Sequence, residues 1–453
     1  MTPTLPPALI RSLNGEPGFD EARFSAVHAS GEQVTAVRLN PLKSAHIFDT
    51  AAPVPWCAWG KYLARRPSFT ADPLFHAGCY YVQEASSMFL EQVLKQAVNL
   101  NDDLRVLDLC AAPGGKSTHL SSLLSAESLL VSNEIIKSRV LTLADNMSKW
   151  GAVNTVVTNN DPEHFNRLGG YFDVIVADAP CSGSGMFRKD PHAISEWSEQ
   201  AIQLCSQRQK RILADIYPAL KENGILIYST CSYSREENEQ IADWLCDNFS
   251  METVKINVDN AWGISETGSE KYGCHGYRFY PHRVQGEGFF ITCLRKTGEA
   301  AAVGKDRGKQ QKTPEVPPVI KEWLDDKQSL GIFPIGDEYG AIARCHENDL
   351  RFLQSKLYLK KSGVRMGKIT GRDLVPDHEL AVSLVTSKQV NKRALTYEQA
   401  ISYLKKADVL PGSDSRLGWT LMCYQEFALG WAKVLPNRIN NYYPKELRIL
   451  KDF

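Results

Sequence analysis

LRVLDLCAAPGGKSTHL, residues 104–120, decides how the rest of the chain is read. LRVLDL is a short apolar run of strand type, a turn of small residues follows, and KSTHLSSLL (116–124) has helical spacing. A strand that passes through a glycine turn into a helix opens an α/β unit, and the pattern then recurs. LLVSNE (129–134), NTVVTN (154–159), FDVIVAD (172–178) and GILIYST (224–230) read as further strands, and FFITCLR (289–295) as a late one. A helix is expected over 135–149, where Ile136, Val140, Leu143, Ala144 and Met147 share one face, and a long one over roughly 193–214. Strand–helix alternation of this kind predicts a parallel, doubly wound sheet.

Ligands of such sheets lie at the carboxyl ends of the strands. Here those ends read Asp108-Leu109-Cys110, Asn133-Glu134, Asn160-Asp161, Asp178-Ala179-Pro180-Cys181 and Thr230-Cys231, so polar and thiol groups are expected along one edge. Gly-Lys-Ser invites a phosphate-loop reading, but GxxxxGK[ST] requires glycine at 110, where this chain has Cys110. The small residues Cys110, Ala111, Ala112, Pro113, Gly114 and Gly115, with Lys116, instead suit close backbone approach at a helix N-terminus. Glu134 lies where an acid accepts from a ribose diol, and Asp161 where one binds an adenine amino group. Loop and acids together read as a site for an adenosine carrying an amino-acid tail, which is S-adenosylmethionine. Singly, a glycine turn also serves tight packing and a strand-end acid also serves as a cap.

Two stretches place cysteines beside that edge: DAPCSGSGMFRKDP (178–191) and YSTCSYSREENE (228–239). Carbon 5 of cytosine is not nucleophilic until a thiolate adds to carbon 6, so thiols next to a methyl donor point to covalent catalysis. A thiol with pKa near 8.5 is only about 3% ionised at pH 7, so a cation is expected nearby, and Lys116 is the candidate. Asp178 is placed to stabilise the adduct at ring nitrogen 3. Residue logic alone leaves open which cysteine attacks.

These motifs, with YYVQEASSMF (80–89), LDLCAAPGGKSTHL (107–120) and NEIIKSR (133–139), resemble the Nol/Nop/Sun family of RNA 5-methylcytosine methyltransferases. The tail, with ALGWAKVL (428–435) and NNYYPKEL (440–447), is similar to the PUA-like RNA-binding region of bacterial 16S rRNA cytosine methyltransferases. The resemblance implies a Rossmann-like S-adenosylmethionine-dependent methyltransferase sheet with an N-terminal α+β subdomain and a C-terminal PUA-like region. It implies Cys231 of the Thr-Cys motif as nucleophile and Cys181 of the Pro-Cys motif in product release. Cys110 to Lys116, Glu134, Asp161 and Asp178 would line the cofactor site. The substrate implied is a cytosine in the decoding region of 16S rRNA, met within the small ribosomal subunit. Cys181 as nucleophile is the alternative for the thiols. A phosphate-loop ATPase and a non-catalytic RNA-binding protein are the competing functions.

Domains are expected at 1–95, 96–300, 319–390 and 391–453, with 301–318 (charged and Gly/Pro-containing) as a linker. Lys+Arg and Asp+Glu are both 52, so net charge identifies no partner. Its distribution does: residues 351–406 hold twelve Lys/Arg against four Asp/Glu, an excess expected of a nucleic-acid-binding face. Phe187, Arg188 and Lys189 are expected around the target base. Deletion of 313–453 is expected to cut RNA affinity and its salt dependence and to leave a domain that still binds cofactor. Eleven cysteines without a CxxC pair argue against a disulfide framework or zinc finger, and no metal is expected. Cys205, on a helix, is expected to be core. The N-terminus lacks a signal-peptide pattern and no run reaches membrane-span length, so a cytoplasmic monomer is expected.

Overall fold

The computed structural model describes residues 5–43, 45–299, 316–407 and 416–452. Most of the expected linker, 301–315, lies outside the described residues.

The centre is a 10-stranded sheet. Five strands run parallel in the order Leu220–Thr230, Phe172–Asp178, Arg105–Asp108, Leu129–Asn133 and Thr155–Thr158. Their inner residues, such as Val106, Leu107, Val131, Val156, Ile175 and Ile227, are buried, as continuous apolar runs require when both faces are covered. The first strand in sequence sits between the second and the fourth, so the chain reverses its direction of winding there. In parallel sheets ligands bind outside the strand ends at such a reversal, which here lies beside the Cys110–Lys116 loop.

The sheet is not wholly parallel. Phe289–Lys296 pairs antiparallel with Leu220–Thr230 and carries His275–Phe279 and Ser265–Gly268 beyond it, while Met251–Thr253 pairs along its other end. At the opposite edge, Leu359–Ser362 pairs antiparallel with Thr155–Thr158. The region 319–390 thus supplies a strand to the central sheet, a pairing across some 200 residues that no local pattern announces.

Helix boundaries follow from caps. Lys137–Trp150 buries Val140, Leu143, Met147 and Trp150, and ends where Gly151 takes φ +95°. The long helix expected over 193–214 is two: His192–Glu196 and Glu199–Ile216. Ser198 breaks it by adopting an extended conformation, and its side chain accepts from the Ala201 N–H at 3.0 Å.

Three four-stranded sheets flank the centre, formed within residues 35–82, 330–376 and 391–441. The first and last share one core, in which Val37, Leu74 and Tyr80 pack with Tyr403, Leu429 and Val434. Leu350, Leu353 and Leu357 of the helix Glu347–Lys356 and its end join the core under the central sheet. The buried Lys43 ammonium donates to the carbonyls of Ala77, Lys149 and Val382 at 2.8, 2.6 and 2.6 Å, tying three regions together. Among the described residues, no helix is long and apolar enough to cross a membrane.

Candidate active site

Register brings the two thiols together. Phe172–Asp178 and Leu220–Thr230 are neighbouring parallel strands with Asp178 opposite Ser229. The Ala179 N–H donates to the Ser229 carbonyl at 2.9 Å, so both chains leave the sheet side by side. Cys181 and Cys231, fifty residues apart in sequence, end with their sulfurs 3.1 Å apart. The loops can approach because Gly185 has no side chain: its N–H donates to the Cys231 carbonyl at 2.8 Å and its carbonyl accepts from Gly288 at 3.0 Å. A Cβ at 185 would stand 2.4 Å from the Gly288 oxygen and 2.8 Å from the Cys231 oxygen. The hydrogen bond with Cys231, and then burial, push the Cys181 thiol well above its ordinary pKa. Both causes favour the protonated form of Cys181.

Lys116 is not committed to a thiol. Its Nζ pairs with Asp178 Oδ2 at 2.8 Å, and Asp178 Oδ1 accepts from Ser229 Oγ at 2.7 Å. The carboxylate is thus held between the start of the helix Gly115–Leu123 and the strand that leads to Cys231. The Lys116 ammonium also lies 5.1 Å from the Phe289 ring centre.

The Cys110–Lys116 loop is held from outside by the helix Lys137–Trp150. Arg139 donates to the Ala112 carbonyl at 2.6 Å and Asn146 to the Pro113 carbonyl at 2.8 Å. Gly114 caps the next helix with φ +113°, a conformation that favours glycine. Behind it, buried Arg38 from the N-terminal region donates to Thr118 Oγ1 and the Gly115 carbonyl at 2.6 and 3.3 Å.

Three strand ends are locked by one side chain. Asn133 donates to the carbonyls of Leu109 and Asn160, at 3.2 and 3.0 Å, and accepts from Thr158 Oγ1 and the Asn160 N–H, at 2.8 and 3.0 Å. Glu134 directly follows Asn133 in the chain, and Asp161 directly follows Asn160. Glu134 is 3% exposed; its Oε1 accepts from the Ile136 N–H at 2.8 Å, and Oε2 lies 3.6 Å from Arg139. Asp161 accepts from the Glu163 N–H at 3.1 Å and caps the turn that follows. Both acids therefore have a local capping role as well as their place at the edge.

Asp108 was not singled out from sequence. It is fully buried, accepts from Ser117 Oγ at 2.6 Å through Oδ2, and among the described residues has no partner for Oδ1. Burial raises its pKa to about 7, against the Ser117 hydrogen bond. A buried carboxyl with an unmatched oxygen favours a cationic neighbour, which an amino-acid ammonium or a sulfonium would provide. The residues present fit S-adenosylmethionine on that count. Burial raises the Cys110 thiol as well, away from a nucleophile's range.

Several expected site residues lie elsewhere. Phe187 is buried among Leu9, Leu13, Phe24, Tyr233 and Tyr280, where it seats the N-terminal helices. Arg188 is occupied by the Glu32 carbonyl at 2.9 Å and by Glu287 at 3.5 Å, which leaves exposed Lys189 as the free end of that trio. Cys205 is half-buried rather than core. The basic segment is partly neutralised: Lys361 pairs with Glu379, Arg365 with Glu338, Lys368 with Asp337, Arg351 with Glu347 and Lys405 with Asp452. Four of those acids lie outside 351–406, so half of its excess charge is met within the fold. Away from the crevice, Cys57, Glu91 and His119 have ligand-type atoms within 4.8 Å of one another, but Glu91 Oε1 already holds Lys95 at 2.6 Å.

Residues 95–295 match the family described as 16S rRNA methyltransferase RsmB/F, residues 5–85 the N-terminal domain of 16S rRNA methyltransferase RsmF, and residues 390–449 the methyltransferase RsmF PUA domain. The chain is 30% identical over 427 residues to ribosomal RNA small subunit methyltransferase F of Escherichia fergusonii and equally to that of Shigella sonnei, covering 88% of this chain and 85% of each relative. A methyltransferase homologue from Pyrococcus horikoshii superposes with a TM-score of 0.51 and 28% identity over 64% of this chain and all of the other. NSun6 from the same organism gives a TM-score of 0.53 at 20% identity over 66% of this chain and all of its own, a likeness of fold. The chain belongs to the RsmB/F family of 16S rRNA methyltransferases.

Proposed function

We propose that this chain transfers a methyl group from S-adenosylmethionine to carbon 5 of a cytosine in 16S rRNA, through a covalent adduct with Cys231. The observation that carries this reading is the pair of sulfurs 3.1 Å apart at the ends of adjacent strands, beside the Lys116–Asp178 ion pair.

In this mechanism the target base leaves its stack and enters the crevice at the strand ends. Asp178, held by Lys116 and Ser229, faces ring nitrogen 3. The Cys231 sulfur forms a bond to carbon 6, and the electron pair of the 5,6 double bond becomes available at carbon 5. When bound, S-adenosylmethionine would supply an electrophilic methyl group, its sulfur keeping the electron pair of the methyl–sulfur bond as the neutral thioether leaves, and its placement falls to the Cys110–Lys116 loop, Glu134, Asp161 and Asp178. After the carbon 5–methyl bond forms, the proton on carbon 5 leaves to a base and the sulfur–carbon 6 bond breaks. The electron pair returns to the Cys231 sulfur, and Cys181, which keeps its proton, assists this release. Residues 390–449 and the remaining exposed cations of 351–406 bind RNA backbone and shape rather than select one base. The substrate is read as a cytosine of the decoding region, within the small subunit.

Glu134→Ala is expected to weaken S-adenosylmethionine binding by about 1.5–3 kcal/mol, the range for a hydrogen bond to a charged group. Calorimetry that gives the wild-type affinity would remove Glu134 from the site. Gly185→Ala is expected to push the two cysteine loops apart, because the added methyl meets backbone oxygens on both sides. Initial methylation rates should fall about 10²-fold, as misplacement by an ångström can cost, while cofactor affinity holds. A wild-type rate would show that the loops need not approach so closely.

A further inference from the structure

The fold places one more carboxylate between the two cysteine loops. Glu237 lies in the short turn Arg235–Glu237 after the Cys231 loop and is fully buried. Its Oε1 accepts from the Ser182 N–H at 2.8 Å, and its Oε2 accepts from Ser182 Oγ and Ser232 Oγ, both at 2.5 Å. Ser182 directly follows Cys181 and Ser232 directly follows Cys231. A single carboxylate therefore grips the residue next to each sulfur. Gln209, on the helix Glu199–Ile216, braces it: its Nε2 lies 3.4 Å from Glu237 Oε1 and donates to the Pro180 carbonyl at 2.9 Å. The turn is itself fixed, since Tyr228 Oη donates to the Glu237 carbonyl at 2.6 Å.

A buried carboxylate is costly unless its oxygens are satisfied, and here both are satisfied by the two cysteine loops. Separating the loops would strip those partners away. We propose that Glu237 is a positioning residue that sets the distance and orientation of the Cys181–Cys231 pair by binding Ser182 and Ser232 at once. It touches neither thiol within hydrogen-bonding distance and acts through the two serines. The proposal rests, for its catalytic meaning, on the reading of the thiols given above. The carboxylate also adds negative potential beside Cys181, which favours the protonated thiol there.

The test compares full-length wild type with Glu237→Gln and Glu237→Ala. Its main readout is independent of catalysis: the rate at which diamide joins Cys181 to Cys231, read by peptide mapping. In that reaction the two S–H bonds break, one S–S bond forms, and the diazene takes up both hydrogens. Held sulfurs react as a preset pair, so wild type should couple quickly. Glu237→Ala should couple about 10-fold or more slowly, with Glu237→Gln between, because the amide keeps one accepting oxygen. The alkylation profile of Cys181 should also move to lower pH in both variants, because each removes the negative charge beside the thiol and loosens its contact with Cys231. Wild-type coupling rates and an unmoved profile in folded variants would overturn the proposal. Calorimetric S-adenosylmethionine affinity checks that they are folded. Slowed coupling in variants that bind the cofactor normally would uphold it. Methylation assays on the same proteins separate the two claims: if Cys181→Ala and Cys231→Ala both turn over normally while Glu237→Ala slows coupling, the positioning role stands and the reading of the thiols falls.

Discussion

Cys231→Ala is expected to abolish methylation and to give no protein–RNA adduct on a denaturing gel. Cys181→Ala is expected to attack and transfer one equivalent of methyl, then to stall as a denaturation-resistant complex that depends on Cys231. The asymmetry follows from the site. Cys181 is held protonated by its hydrogen bond with Cys231 and by burial, so it is poorly suited to attack and well suited to help expel its neighbour. The two sulfurs stand only 3.1 Å apart, so the two variants report on neighbouring groups at one site. Turnover in Cys181→Ala should fall by about 10² to 10⁴, the range usual for loss of a positioned proton-transfer group. Radiolabelled cofactor and substrate RNA provide the readout. Adduct in the Cys231 variant and none in the Cys181 variant would reverse the roles. Normal turnover in both, with adduct in neither, would end the covalent mechanism.

The second large effect is the removal of residues 316–453. From the sequence, a linker and a basic tail suggest that the first 300 residues would remain a working cofactor-binding domain. The structure leads to the opposite expectation. Loss of Leu359–Ser362 leaves Thr155–Thr158 as an open edge of the central sheet. Loss of Leu350, Leu353 and Leu357 uncovers side chains whose burial is worth about 1.5–3 kcal/mol each. The core shared by Val37, Leu74 and Tyr80 with Tyr403, Leu429 and Val434 opens as well. Arg105 loses Asp349, its partner at 2.9 Å, and Tyr171 loses the same carboxylate at 2.7 Å. The truncated chain should therefore be largely insoluble or fail to bind S-adenosylmethionine. Soluble yield and calorimetry check this, and a soluble fragment with full cofactor affinity would show that the tail is dispensable to the fold.

The same contacts change how the basic segment is understood. Its cations are drawn partly into ion pairs within the fold, as Arg365 is with Glu338 and Lys368 with Asp337. A count of charges along the chain does not register this, because most of the neutralising acids come from outside the segment. Phe187 shows the complementary error. An aromatic residue just after a thiol loop looks available to a base, yet the N-terminal helices cover it. A sequence scan could have noticed that Leu9, Leu13 and Phe24 lacked a core of their own. It had no means of knowing where they pack.

What the sequence determined by itself is local and periodic. Apolar runs alternating with amphipathic helices specify the parallel sheet, since each element must bury a face with its own period. The small residues at 110–115 specify a close turn, and the strand ends specify which edge carries the polar groups. Tertiary structure decided everything that depends on register and on partners far apart in the chain. The facing of Cys181 and Cys231 comes from the pairing of Asp178 with Ser229. The capture of Lys116 by Asp178 and the grip of Glu237 on Ser182 join loops fifty or more residues apart, whereas Ser232 is a near neighbour of Glu237 in the chain. The antiparallel strands at both sheet edges arise because exposed edges were available to any segment the fold brought near. Periodicity carries information over a few residues, whereas the satisfaction of buried polar groups is settled only when the whole chain has closed around them.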